Sequence, residues 1–221
     1  MLDYDTRERT GGNRRLQTMN RGIEIIGADH AAPAVWAGGS VREFRVWPEE
    51  ASVSSREFEF CISSATVETE ESAFSDYSGY ERVIVPLDGK MELTHDGADK
   101  VLLERYQPYA FDGGARTRSR GKVKDFNVIM QKDRCSGNVF VVSLPPGGAI
   151  HSGTGGGERR TEFFYCAEGG FWPDCGMPDQ VPVGEGGVLV IDRTVFRERC
   201  ICINRGSGLC VVVAGAVFCG R

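Results

Sequence analysis

Long apolar runs and an excess of positive charge are both missing from this sequence of 221 residues. No stretch of about 18 apolar residues occurs, so we expect no transmembrane helix and no membrane partner. The 26 Lys and Arg residues are outnumbered by 31 Asp and Glu residues, which gives a net charge of -5. Proteins that bind nucleic acids usually carry a strongly basic face, so this balance argues against a nucleic-acid partner.

Histidine is scarce, which bears on metal chemistry. Only His30, His95 and His151 occur, and no two of them are close in sequence. A catalytic metal with open positions for substrate is usually held by several imidazole and carboxylate ligands. Three scattered histidines do not indicate such a set, so we expect no metal and no other cofactor. We interpret His95 as a surface residue in a turn with Asp96-Gly97.

The sequence contains eight cysteines but no Cys-x-x-Cys motif. We interpret the four that lie within apolar or aromatic runs as reduced, buried thiols: Cys61, Cys166, Cys202 and Cys210. The Cys200-x-Cys202 pair could bind zinc if Cys210 lay opposite, because thiolates are zinc ligands. Packed or surface thiols are the favoured interpretation of these three residues.

The N-terminal segment differs in composition from the rest of the chain. Residues 1–21 are polar and rich in arginine with almost no apolar partners, which predicts a disordered tail. Because the segment lacks the apolar core of a secretory signal, we expect a cytoplasmic protein. Either Met1 or Met19 could be the physiological start.

From residue 23 onward the pattern is that of short β-strands. Phe58 and Phe60 alternate with glutamates, which is the period of a half-buried strand. Asp88-Gly89 lies between two apolar segments and predicts a tight hairpin. A second series of strands begins near Asn138. The sequence therefore predicts an all-β fold with a first barrel over residues 22–136 and a second, degenerate barrel half over residues 137–221.

Several segments of the first half resemble the HutD/Ves family in their order and spacing. They are Phe74-Ser75, Gly79, Arg82, the hairpin at Gly89, Gln107-Pro108, Phe111 and Asp125-Phe126-Asn127 with Met130. Upstream, residues 36–43 (Trp-Ala-Gly-Gly-Ser-Val-Arg-Glu) resemble that family's Trp-Asn-Gly-Gly-Gly-Thr-x-Glu region. The chain departs from the family at Ala37 and at Phe60-Cys61, where Asn and a Trp-Arg pair are common.

The resemblance implies a bicupin, that is, two tandem double-stranded β-helix barrels of the RmlC-like cupin superfamily. Metal-dependent cupins carry a His-x-His motif with a further Glu and His. The hairpin where that motif is expected reads Met-Glu-Leu-Thr-His over residues 91–95. HutD proteins are linked to histidine utilisation and Ves proteins to stress responses, and neither link implies a settled enzymatic activity.

Two of the matched segments carry charged and amide side chains that could bind a ligand. On a strand, Asp125 and Asn127 share one side. Facing a barrel interior, they would offer a carboxylate and an amide, whereas the alternative is that Asp125 caps a turn. Arg82 could clamp a ligand carboxylate, or it could pair with Glu81 or Asp76 at the surface.

Four further residues complete the candidate ligand site. Trp36 and Phe111 are candidates for its apolar walls, although core packing is the commoner role of such side chains. Glu43 closes the segment that begins at Trp36. Gln107 precedes Pro108, so its backbone is expected to be extended, and its amide could serve the loop itself instead of a ligand.

These observations lead to a leading hypothesis and an alternative. The protein is expected to bind a small polar or anionic metabolite reversibly in the first barrel, without catalytic residues, as a regulator linked to histidine utilisation or stress. The alternative is a cupin enzyme that acts on a small polar substrate, either without metal or with atypical metal ligands. The second half is expected to be structural or to form a homodimer surface.

Overall fold

The computed structural model describes residues 17–20 (backbone only), 22–29, 33–36, 38–98, 100–153, 159–176 and 181–220. Within these ranges the chain forms β-strands and no helix, which confirms the predicted all-β class. Accordingly, none of the described segments is a helix that could cross a membrane. The strands are β1 (Gln17–Asn20), β2 (Ile23–Ile26), β3 (Ala34–Trp36), β4 (Gly39–Trp47), β5 (Phe60–Val67), β6 (Glu71–Ala73), β7 (Tyr80–Pro86), β8 (Met91–His95), β9 (Val101–Leu103), β10 (Tyr109–Asp112), β11 (Thr117–Arg120), β12 (Val123–Gln131), β13 (Cys135–Leu144), β14 (Ala149–His151), β15 (Arg159–Glu168), β16 (Gly170–Asp174), β17 (Val183–Gly184), β18 (Val188–Asp192), β19 (Ile201–Ile203) and β20 (Cys210–Cys219).

The strands form two large and two small sheets. In the first half, a six-stranded sheet with the order β10-β7-β12-β5-β4-β3 is accompanied by a four-stranded sheet with the order β6-β11-β8-β9. In the second half, the orders are β1-β2-β18-β15-β20-β13 and β14-β19-β16-β17. Each half therefore joins a large and a small sheet into a barrel, as the tandem-barrel prediction requires.

Three apolar layers hold these sheets together. Ile84 and Met91 lie in the layer that fills the first barrel, and Phe164 and Cys202 lie in the layer that fills the second. A third layer joins the outer faces of the two large sheets, where the ring of Phe126 contacts that of Phe163 at a centroid distance of 5.5 Å. Fully burying one such side chain contributes about 1.5–3 kcal/mol. The large sheets thus carry apolar side chains on two faces, one toward a barrel interior and one toward the other half.

The N-terminal strands belong to the second half. β2 pairs with β18, so the predicted first barrel over residues 22–136 differs from the structure at this strand, and its predicted end lies inside β13. The predicted disordered tail is wrong for residues 17–20, because β1 pairs with the otherwise unpaired edge of the apolar β2. The rest of that tail, residues 1–16 and 21, lies outside the described residues.

Strand register decides which cysteines meet. Cys135 on β13 and Cys219 on β20 are register partners and form a disulfide, and a second disulfide joins Cys175 to Cys200. The interpretation of Cys200 as a packed or surface thiol is therefore wrong. The expectation of reduced, buried thiols is confirmed for Cys61, Cys166, Cys202 and Cys210. The considered zinc set cannot form while Cys200 is in a disulfide.

Candidate functional site

A polar row crosses the inner face of the large sheet in the first barrel. Strand register places Glu43 on β4 beside Ser63 on β5, and Ser63 beside Asn127 on β12. Asp125 lies two residues before Asn127 and points to the same face, since side chains alternate along a strand. Phe126 points the other way, into the core between the halves. Asp125 and Asn127 thus face the barrel interior, and Asp125 lies within β12 instead of capping a turn.

Arg82 joins this row from the neighbouring strand, β7. The residue is buried, and its Nη2 donates a hydrogen bond to Asn127 Oδ1 at 3.1 Å. Its Nε is also buried and has no hydrogen-bond partner among the described residues. A buried donor left without an acceptor costs about 1–3 kcal/mol. The surface pairing of Arg82 with Glu81 or Asp76, considered from the sequence, is wrong because the guanidinium points inward.

Aromatic rings surround the Arg82 guanidinium. Its central carbon lies 4.6 Å from the ring centroid of Phe74, 5.3 Å from that of Phe111 and 5.6 Å from that of Tyr77. Phe111 occupies this place because it is the register partner of Arg82 on β10. Each desolvated cation–π contact of this kind contributes about 0.5–2 kcal/mol. The sequence predicted Phe111 as a wall of the site but missed Phe74, which is one of the family-like residues, and Tyr77, which follows it three residues later.

The buried carboxyl of Asp125 is linked to Arg82 through hydrogen bonds. Asn127 Nδ2 donates to Asp125 Oδ1, so a chain of hydrogen bonds runs from Arg82 through Asn127 to Asp125. Burial raises the pKa of Asp125 to about 7, against the opposing effects of the Arg82 charge and the Asn127 hydrogen bond. Near neutral pH this carboxyl is therefore divided between its neutral and charged forms. When it is neutral, Arg82 retains a positive charge without this counter-ion.

Burial also acts on the other titratable groups of this interior. Glu43 is exposed as a residue, but desolvation of its carboxyl raises the pKa. Burial lowers the pKa of Arg82 against the opposing charge of Asp125. It raises the pKa of Cys61 as well, with the Glu43 charge acting in the same direction. No hydrogen bond to the Glu43 carboxylate is found among the described residues. The site thus combines a buried cation with carboxyl groups whose pKa values are raised.

Trp36 lies at the edge of the site, half-buried against the first-barrel core. Two glycines allow the chain to turn there from β3 into β4. A Cβ atom on Gly39 would lie 1.8 Å from the carbonyl oxygen of Thr66, and a Cβ atom on Gly38 would lie 2.1 Å from the Trp36 ring. The Gly-Gly pair is therefore required by close packing. Ala37, where the chain departs from the family pattern, lies outside the described residues.

Gln107 does not join the other predicted residues. Its side chain is exposed, and its Oε1 accepts a hydrogen bond from the Glu104 backbone N–H at 3.1 Å. The amide thus serves its own loop, which was the alternative considered from the sequence. The structure brings Arg82 and Phe111 together with Asp125 and Asn127 in the barrel interior. Glu43 is exposed at the end of the polar row, and Gln107 lies outside this group.

The environment of His95 differs from the one expected from the sequence. It was predicted at the surface, but it is half-buried, and its Nδ1 shares a hydrogen bond with Thr117 Oγ1 at 2.8 Å. Its Nε2 contacts Tyr109 Oη at 3.2 Å, and its ring lies 5.0 Å from that of Phe111. Burial lowers the pKa of His95. The alternation of side chains along β8 would have predicted this position, because His95 shares one face of the strand with Met91 and Leu93.

A metal centre cannot be assembled from the described histidines. His95 lies on β8 and His151 on β14, in different barrels, while His30 lies outside the described residues. One group of metal-ligand types occurs in the described ranges, with Glu59, Cys135 and Cys219 contributing atoms within 4.8 Å of one another. Both cysteines of this group are in a disulfide. The expectation that the chain holds no metal stays a prediction.

Two surface clefts lie away from the polar row. One of about 850 Å³ is lined by residues that include Glu59, Arg134 and Arg159, and one of about 350 Å³ by residues that include Asp112 and Lys132. No predicted ligand-binding residue lines either cleft. The case for a site in the first barrel therefore rests on its interior side chains.

Comparisons with solved structures agree with the tandem-barrel architecture. A conserved protein of unknown function from Pseudomonas aeruginosa PAO1 matches 90% of this chain and 100% of its own with a TM-score of 0.72 and 22% identity. HutD from Pseudomonas fluorescens SBW25 matches 90% of this chain and 100% of its own with a TM-score of 0.67 and 23% identity. The bacterial pirin YhhW from Escherichia coli, in complex with nickel(II), matches 87% and 98% at a TM-score of 0.63 and 8% identity. These likenesses support a cupin-type fold.

Sequence comparison identifies the family. The protein Ves from Cronobacter sakazakii is 26% identical over 167 residues, which cover 71% of this chain and 89% of that protein. The HutD family model matches residues 28–194, a range that contains the whole first barrel from β3 onward and much of the second. On this evidence, the chain belongs to the HutD family.

Proposed function

We propose that the first barrel reversibly binds a small metabolite carrying a carboxylate, and that the protein acts as a cytoplasmic, non-enzymatic regulator. The observation that carries this proposal is the buried Nε of Arg82, for which the described part of the chain offers no acceptor. A carboxylate of the ligand would supply that acceptor through a charge-assisted hydrogen bond, which is among the stronger polar contacts in proteins. The surrounding rings of Phe74, Tyr77 and Phe111 would exclude water from the contact.

The titration of Asp125 would set the pH at which an anion binds. A charged Asp125 carboxylate offsets the positive charge of Arg82 and repels an anionic ligand, whereas a neutral Asp125 does neither. Because its pKa is raised to about 7, affinity for an anion is expected to increase as the pH falls from 8 toward 6. If binding requires the neutral form, affinity falls about tenfold for each pH unit above 7, since 1.36 kcal/mol corresponds to one unit. Asp125→Asn removes this dependence.

The proposed role in histidine utilisation or stress rests on membership of the HutD family and on the likeness to Ves and HutD proteins. A thermal-shift series with histidine-degradation intermediates and simple carboxylates tests it. A ligand at 100 times its Kd stabilises by about 2.7 kcal/mol, which raises the midpoint by roughly 5–10 °C in a chain of this size. The absence of a shift with every intermediate would count against the histidine link.

A matched pair of variants tests the role of Arg82. Arg82→Met keeps most of the side-chain volume and removes the charge, and it is expected to abolish the carboxylate response. Arg56→Met is the control, because Arg56 is an exposed guanidinium 5.4 Å from the ring of Tyr77. Arg56→Met is expected to respond like the wild type. A folded Arg82→Met protein that still binds the carboxylate would refute the proposal.

One observation favours the enzyme alternative. A buried carboxyl whose pKa is about 7 suits general acid–base catalysis at neutral pH. NMR of candidate ligands incubated with the protein would reveal turnover, and elemental analysis of untagged protein would reveal a metal with atypical ligands. Turnover that is lost in Asp125→Asn while ligand binding persists would favour the enzyme over the regulator.

A further inference from the structure

The outer edge of the second barrel's large sheet is unusually long. β13 (Cys135–Leu144) has 10 residues and, within the described ranges, pairs only with β20. Every other outermost strand in the described ranges has 2–4 residues. Edge strands present unpaired N–H and C=O groups to other chains, and short edges are one way in which proteins limit such pairing. β13 lacks that protection.

The composition of β13 also leaves its edge open. Its sequence, Cys-Ser-Gly-Asn-Val-Phe-Val-Val-Ser-Leu, contains no charged residue and no proline. Charged side chains and prolines are the usual devices that discourage edge-to-edge pairing. By contrast, the edge strand β6 contains Glu71 and the edge strand β10 ends at Asp112. The ring of Phe140, at the centre of β13, is 43% exposed.

The two faces of β13 continue two apolar layers of the molecule. Val139 and Val141 pack against the core between the two large sheets. Val142, on the opposite face, packs against the core of the second barrel. An additional strand beside β13 would extend both layers beyond the sheet edge.

We propose that β13 pairs antiparallel with β13 of a second copy of this chain, about a twofold axis at Phe140. In this register Phe140 faces its own copy, Val139 faces Val141 and Asn138 faces Val142. A twofold interface must be self-complementary, and a strand without charge meets its copy with no like charges opposed. Aromatic and β-branched side chains in direct cross-strand contact stabilise such a pairing.

The chain segments flanking β13 fit the same register. The charged residues 132–134, which precede β13, would lie opposite the partner's uncharged residues 146–148, which follow it. The two charged segments are therefore kept at opposite ends of the interface. The large sheet of the second half has six strands in each copy. Pairing of the two β13 strands would join these sheets into one continuous sheet of 12 strands.

Charge substitutions at the twofold axis give a sharp test. Light scattering coupled to size exclusion is expected to give the mass of a dimer for the wild-type chain. Phe140→Lys and Phe140→Glu each oppose like charges at the axis and are expected to be monomers. An equimolar mixture of these two variants is expected to regain the dimer mass, because Lys then faces Glu. Leu102→Lys is the matched control, since Leu102 is an exposed apolar residue on the short edge strand β9, and it is expected to remain a dimer.

Three outcomes would overturn the proposal. The first is a wild-type chain that is monomeric at micromolar concentration. The second is a dimer that persists in both Phe140 variants, because the interface would then lie elsewhere. The third is a monomer whose β13 amides resist hydrogen exchange until residues 1–16 are deleted, since the chain's own N-terminal segment would then occupy the edge. Circular dichroism of the Phe140 variants establishes that loss of dimer is not loss of fold.

Discussion

Replacing Asp125 with asparagine isolates the buried carboxyl of the first barrel. The amide has nearly the same shape, and its oxygen can still accept a hydrogen bond from Asn127, but it does not ionise. Burial raises the pKa of Asp125 from 3.8 to about 7. This difference of about 3 pH units, at 1.36 kcal/mol for each, means that ionisation of Asp125 lowers the free energy of unfolding by about 4 kcal/mol.

The sign of this effect follows from which state loses its proton first. Below the unfolded pKa of 3.8 the carboxyl is neutral in both states, and the destabilisation is absent. As the pH rises, the unfolded chain ionises first, so the free energy of unfolding falls until the folded protein also ionises at about 7. Asp125→Asn is therefore expected to match the wild type near pH 4 and to exceed it near pH 8 by about 4 kcal/mol, or roughly 8–16 °C in the midpoint.

Urea denaturation of both proteins across this pH range measures the difference directly. Asp133→Asn serves as the control, because it removes an exposed carboxylate from the same chain, and its effect on stability is expected to be small. A constant difference between Asp125→Asn and wild type from pH 4 to pH 8 would refute the reasoning. The carbon-13 shift of the Asp125 carboxyl, followed by NMR, gives its pKa independently.

Three further changes test the cores of the two halves by urea denaturation. Arg193→Ala is expected to cost about 1–3 kcal/mol, because Arg193 is fully buried and donates two hydrogen bonds, at 2.6 and 2.9 Å, to Oε2 of Glu162. This oxygen would lose both donors, while Oε1 keeps its ion pair with Arg160 and the Gly153 N–H. Unchanged stability would contradict this account. Cys135→Ser opens a disulfide that spans 84 residues and is expected to lower the free energy of unfolding by about 4 kcal/mol. A reducing agent is expected to destabilise the wild type by a similar amount. If neither the substitution nor the reducing agent changes stability, the disulfide does not form. Phe126→Ala is expected to cost about 3–5 kcal/mol, since the ring is fully buried between the halves; a cost below about 1 kcal/mol would show that this core is not closely packed.

Strand periodicity accounts for what the sequence could predict about the site. Asp125 and Asn127 share a face because they are two residues apart on β12, and the resemblance to HutD/Ves proteins placed that strand in the first barrel. The same period would have placed His95 inward with Met91 and Leu93. It was missed because a turn follows at Asp96, and turn residues are usually exposed.

The wrong prediction for residues 17–20 and the missed disulfide have a different cause. The assignment of residues 17–20 to a disordered tail rested on local composition, whereas β1 exists because β2 lies beside it. Likewise, Cys135 and Cys219 are far apart along the chain, and only the register of β13 with β20 makes them partners. Long-range pairing is set by packing of the whole sheet, which local patterns do not encode.

By itself, the sequence determined the all-β class, the two series of strands and the shared side of Asp125 and Asn127 on a strand, because alternation and turn residues act over a few neighbouring positions. Only the tertiary structure decided that Arg82 is buried among aromatic rings, since those rings come from separate segments of the chain. It also decided that the Asp125 carboxyl titrates near neutral pH, because a pKa depends on the burial and charges around the group. That Asp125 and Asn127 share one side of a strand was therefore predictable from the sequence, whereas their orientation toward the barrel interior and their charges depend on the assembled barrel.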